Sequence, residues 1–125
     1  MRRLVSKAVL GFIAVLGLVA TAPAASADSL QWHFRSEYSG SVDLEFFAAD
    51  RNNVWPGDNK VYVIDDGKVH HYNLSCNKGE KICYGAWAHE DANSYWGSGY
   101  GGEESCETCC YTCGAGDTDV LVLNR

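Results

Sequence analysis

The residues best suited to chemistry lie in the last third of the chain. Cys106, Cys109, Cys110 and Cys113 form C-x-x-C-C-x-x-C, and Cys76 and Cys83 precede them to make six cysteines. Three chemistries suit such a set. An even count in an oxidising compartment reads as three disulfides, each adding about 2–4 kcal/mol by restricting the unfolded chain. Sequence alone does not choose the pairing, although adjacent Cys109 and Cys110 are poor partners for each other because a vicinal bridge strains the peptide. The second chemistry is a metal site. The thiolates of Cys106, Cys109, Cys110 and Cys113 are soft ligands for Zn²⁺ or Cu(I), and C-x-x-C is a usual half-site. The spacing weakens this reading, because the two halves abut where zinc ribbons place a long loop. The third is dithiol redox catalysis, which normally uses a helix N-terminus to lower a thiol pKa. No βαβ pattern accompanies these cysteines. The disulfide framework is the preferred reading, with no cofactor; a metal site with zinc or copper is the alternative.

Other side chains offer less. His33, His70, His71 and His89 are spread along the chain, and neighbours His70 and His71 point to opposite faces of a strand. His89-Glu90 lacks the second histidine of a zincin motif. No nucleophile elbow occurs, so no catalytic residue is assigned. Carboxylate pairs are left open, since sequence spacing does not give spatial spacing. Four aromatics stand out as candidate ligand contacts: Trp55 before the Pro56-Gly57 turn, and Tyr95, Trp96 and Tyr100 among glycines. Exposed aromatics of this kind stack on sugars or anchor protein partners.

The elements that would position these groups read as strands almost throughout. Leu30, Trp32 and Phe34 alternate with polar residues, as do Val42, Leu44 and Phe46. Period two marks half-buried strands. Residues 50–59 read as a loop. Residues 61–64 and 69–76 read as a hairpin about Asp66-Gly67, where glycine suits a tight turn. Residues 77–80 form a further turn, which places Cys76 and Cys83 on either side of one hairpin. Residues 82–88 and 120–123 are further strands. Residues 93–102 fit either a glycine-rich strand or a loop. Trp32 and Trp87 are the tryptophans expected in the core. No helical period or internal repeat follows residue 28. The pattern predicts an all-β domain, a small antiparallel sandwich or partly open barrel, disulfide-stapled, with a meander and one long crossover.

The N-terminus bounds the setting. Arg2, Arg3 and Lys7, an apolar run from Ala8 to Ala20, and Ala25-Ser26-Ala27 read as a signal peptide, residues 1–27, cleaved from a single domain at 28–125. The apolar run is too short for a bilayer-spanning helix, so no membrane span is expected after cleavage. Periplasmic or secreted localisation follows. The domain at 28–125 carries seven Lys+Arg against sixteen Asp+Glu, a formal charge of −9. That charge argues against nucleic acid as a partner. It suits a protein or glycan partner, and one alternative is an inhibitor steered to a basic secreted hydrolase. Catalysis is the least supported class.

Four blocks carry a resemblance: D-R-N-N-V-W-P-G at 50–57, G-E-K-I-C-Y-G-A-W at 79–87, Y-W-G at 95–97 and C-E-T-C-C-Y-T-C-G at 106–114. They resemble a group of small exported cysteine-rich bacterial proteins. The resemblance implies that hairpin and cysteine tail form one unit. It carries no activity with it.

Overall fold

The computed structural model describes residues 27–124. The proposed signal peptide lies outside the described residues except for Ala27. Nine strands make two sheets: β1 (Ala27–Ser36), β2 (Val42–Ala48), β3 (Val54–Trp55), β4 (Tyr62–Ile64), β5 (His70–Asn77), β6 (Lys81–Ala88), β7 (Asp91–Gly97), β8 (Cys110–Thr112) and β9 (Val120–Leu123). The smaller sheet has the order β5-β1-β9. The larger has β2 and β6 at its centre. There β3 and β4 share the free edge of β2, and β7 and β8 share that of β6. Among the described residues no α-helix forms, and no helix is long and apolar enough to cross a membrane. The all-β, disulfide-stapled architecture expected from the period-two pattern is present, as two sheets that do not close into a barrel.

The alternation builds the core directly. Leu30, Trp32 and Phe34 of β1 and Val42, Leu44 and Phe46 of β2 are buried between the sheets with Ile64, Leu74, Ile82, Ala86 and Leu123. Trp32 lies 4.9 Å from Phe46 and 5.0 Å from Tyr111, centroid to centroid. Tyr62 and Tyr72, 4.7 Å apart, extend this aromatic wall. Burial, with Tyr62 and Asp66 nearby, pushes the Tyr72 hydroxyl up to about 12. Trp87 is buried as expected, but on the other face of β6. It is only 4% exposed, yet it stands outside the inter-sheet core, because its neighbours Ala86 and Ala88 take the inner face.

Strand pairing also differs from the expected hairpins. β4 pairs with β2, whereas β5 pairs with β1, so the Asp66-Gly67 turn connects two sheets. Length explains it. β5 is eight residues long and matches eight residues of β1, from Ala27↔Asn77 to Phe34↔His70. A three-residue β4 could satisfy only a fraction of that ladder. The 77–80 turn likewise passes from β5 in one sheet to β6 in the other, so Cys76 and Cys83 do not flank a hairpin. Nor is the whole a meander: β9 runs parallel to β1, in register His33↔Val120.

The sheet-changing turn is held by side chains. The Glu80 carboxylate accepts from the Asn77 amide at 3.0 Å and from the Arg51 guanidinium through Nε and Nη2. Arg51 holds the Glu80 carboxyl below its ordinary range. The turn is also tied to the tail, with Gly79 N–H donating to the Cys113 carbonyl and Cys113 N–H to the Glu80 carbonyl.

Candidate functional site

The candidate site is the outer face of the larger sheet. Its side chains follow from register. Phe47, Cys83 and Cys110 form one row across β2, β6 and β8. Glu45, Gly85 and Gly97 form the next, and Asp43, Trp87 and Tyr95 the third. The middle row is nearly bare, and the chain uses it. After Gly97, residues 98–102 turn back over the sheet. A Cβ on Gly85 would collide with the Gly99 carbonyl oxygen and lie 3.0 Å from Ser98 Oγ. Glycine at 85 therefore permits a backbone-on-backbone crossing that no other residue allows. The ambiguous 93–102 stretch is thus a strand up to Gly97 and a tight turn at Tyr100–Gly102.

The crossing segment delivers Tyr100 onto Trp87, edge to face, with centroids 5.0 Å apart. Tyr100 remains 58% exposed. Beside the pair is a depression of about 250 Å³ lined by Glu45, Asn59, Val61, Trp87, Tyr100 and Gly101. Burial, aided by the negative charge of Asp43, raises the Glu45 carboxyl above its usual value. Asp43, two residues along β2 on the same face, is buried and faces His89 Nδ1 at 3.0 Å. The surface thus combines aromatic faces with a carboxylate and an amide in one small concavity.

The four aromatics singled out from sequence do not meet at one place. Tyr95, 45% exposed, lies on the outer face beside Trp87 and near the Tyr100 segment, its ring against Gly99. Trp96 turns the other way. It packs against the core, stands 5.5 Å from Tyr38, and donates its Nε1–H to the Asn124 carbonyl at 2.6 Å. A second groove, about 390 Å³, runs along the β7 edge between Tyr38, Asn93, Ser94, Tyr95, Trp96 and Asn124. Trp55 pairs with Phe46 on the inner side and carries Arg51 over its ring at 5.8 Å. Sequence reasoning missed Glu45, Trp87 and Asn59 as members of the face. Period two along 42–48 and 82–88 could have placed Glu45 and Trp87 together; nothing in the sequence points to Asn59.

The cysteines pair as Cys76–Cys113, Cys83–Cys110 and Cys106–Cys109, leaving no free cysteine among the described residues. The first ties the smaller sheet to the tail after β8. The second joins directly opposed residues of β6 and β8. The third closes a local loop. Cys106, Cys109, Cys110 and Cys113 are consequently not one enclosure: Cys113 is bonded to Cys76, while Cys83 joins the other three. A cavity of about 270 Å³ opens onto Cys83, Cys106, Cys109 and Cys110, with Phe47 and Glu104 on its walls.

The histidines are also placed. His70 and His71 do face opposite sides. His70 Nε2 meets Asp66 at 2.7 Å, and His71 Nδ1 meets His33 Nδ1 at 2.5 Å across the β1–β5 pair. Comparison of the chain with protein-family models, with curated proteins and with solved structures finds no match.

Proposed function

We propose that this protein is an exported, disulfide-stabilised binding domain that takes a glycan on the outer face of its larger sheet. The observation that carries the reading is the convergence of Trp87 and Tyr100 with Glu45 and Asn59 around one depression. A pyranose presents an apolar C–H face and a rim of hydroxyls. The exposed Tyr100 ring, held in place by buried Trp87, satisfies the first; a carboxylate and an amide satisfy the second. Tyr95 extends the platform, giving room for a further sugar. The three bridges keep such a face in shape in an oxidising compartment, where a small core leaves little margin.

The test is calorimetric titration of the oxidised protein with a panel of soluble oligosaccharides, neutral, aminated and acidic. Saturable binding to one class is expected. The Tyr100→Ala variant should lose roughly 3- to 10-fold in affinity, the equivalent of one aromatic contact, while remaining folded. No saturable heat from any saccharide, combined with capture of a protein from the same compartment on immobilised chain, replaces the glycan with a protein partner. Full affinity in Tyr100→Ala would remove this face from the reading.

A further inference from the structure

We propose that Cys83, Cys106, Cys109 and Cys110, once reduced, form a four-thiolate site for a borderline-soft divalent cation such as Zn²⁺. The two bridges that hold these residues lie side by side. Cys109 Sγ is 3.9 Å from Cys110 Sγ. The sulfurs of Cys83, Cys109 and Cys110 all lie within 4.8 Å of one another, and Cys106 is bonded to Cys109. A tetrahedral Zn–S₄ centre with bonds of about 2.3 Å holds its sulfurs about 3.8 Å apart. The contact between the bridges already has that spacing. Each bonded pair would have to part by less than about 2 Å to reach it.

The scaffold supplies one rigid and one adaptable half. Cys83 and Cys110 are fixed opposite each other on β6 and β8. Cys106 and Cys109 belong to a loop with C-x-x-C spacing, which closes around an ion from one side. The cavity of about 270 Å³ leads to all four. This ligand set differs from the consecutive one in sequence, Cys106, Cys109, Cys110 and Cys113. Cys113 is 1% exposed and bonded to Cys76, itself buried, on the inter-sheet side. With Cys83 as the fourth ligand, the abutting halves no longer have to wrap the ion alone.

Access sets the order of reduction. Cys83, Cys106 and Cys110 are partly exposed, whereas Cys76 and Cys113 of the remaining bridge are both buried. A dithiol reductant attacks one sulfur of an accessible bridge, and its second thiol then resolves the mixed disulfide. Each reductant molecule becomes a disulfide, and each protein bridge gains two electrons and two protons to become two thiols. Two such turnovers free four thiols. One divalent ion then displaces four protons and forms four metal–sulfur bonds, while Cys76–Cys113 stays closed.

The test uses the full chain, reduced under graded phosphine and titrated with Zn²⁺ against a chromophoric chelator. Cd²⁺ in parallel reports thiolate charge-transfer absorption. One equivalent of metal and four released protons are expected. Cys83→Ser should weaken binding by more than the roughly 100-fold typical of losing an outer-shell partner. The Cys76→Ser/Cys113→Ser double variant should keep its equivalent. Alkylation mapping of the metal-loaded wild type covers the case of a variant that does not fold: Zn²⁺ should protect Cys83, Cys106, Cys109 and Cys110. Protection of Cys113 in place of Cys83, or absence of stoichiometric metal in the reduced protein, overturns the proposal.

Discussion

Glu80→Gln isolates the charge that holds the sheet-changing turn. The Glu80 side chain is 6% exposed and serves three donors: the Asn77 amide and two nitrogens of Arg51. Glutamine keeps the shape and one acceptor oxygen, which can still receive the Asn77 N–H. It replaces the other oxygen with an NH₂ facing a guanidinium. The loss is therefore confined to the charge-assisted part, with each such bond worth about 1.5–3 kcal/mol. Arg51 is 43% exposed, so water recovers a share of it. The expected cost is about 2 kcal/mol at pH 7, or a melting temperature lower by about 10 °C for a domain of this size. The pH dependence gives the decisive check. Glu80 has a folded pKa below its unfolded value, so it stabilises the fold above the ordinary carboxylate range. That contribution is lost as pH falls through the lowered folded value. Urea unfolding with the disulfides intact, at neutral pH and again below that value, should show the wild-type advantage shrinking in acid. An equal gap at both pH values would refute the electrostatic reasoning and leave only packing.

Two more perturbations test other parts of the structure. Serine pairs in place of each bridge should destabilise in the order of sequence separation: 37 residues for Cys76–Cys113, 27 for Cys83–Cys110 and 3 for Cys106–Cys109. Loop-closure entropy gives about 4, 3.5 and 2 kcal/mol respectively. Denaturant midpoints check the order, and a largest loss at Cys106–Cys109 would contradict it. Glu45 has the opposite sign to Glu80. Its folded carboxyl is raised by burial and by Asp43, so ionising it costs stability as pH rises from its unfolded value through the raised one. Glu45→Gln should remove that decline, making the variant relatively more stable at pH 7 than at pH 4; an unchanged pH profile would place Glu45 in solvent.

Much of the fold was legible because its signal is local. Period two along β1 and β2 needs no knowledge of partners, and it identified Leu30, Trp32, Phe34, Val42, Leu44 and Phe46 as inward-facing. Pairing was not legible, because it depends on which ladder is longest. β4 and β5 are neighbours in sequence, yet an eight-residue match to β1 outweighs a short hairpin. The candidate site was half legible. Tyr95 and Trp96 are consecutive, so on any strand they must face opposite ways. The glycines around them obscured that β7 is a strand. Trp87 was assigned to burial correctly, but what covers it could not be read from sequence: Tyr100, brought there by a backbone crossing over Gly85. The disulfide reading of the cysteines followed from their even count and the compartment expected from the N-terminal sequence; which sulfurs lie side by side needed three dimensions.

The position of β1 has a consequence for how the chain reaches this fold. It is the central strand of its sheet, with β5 on one side and β9 on the other, in register His33↔Val120 through Ser36↔Leu123. A chain emerging N-terminus first exposes β1 long before either neighbour exists. Trp32 and Phe34 then wait without a finished sheet until the final strand arrives, and Cys76 waits likewise for Cys113. Contacts this distant in sequence form slowly. The larger sheet can begin on β2 with its near neighbours β3 and β4, whereas the sheet built on β1 stays incomplete until the last residues of the domain are available.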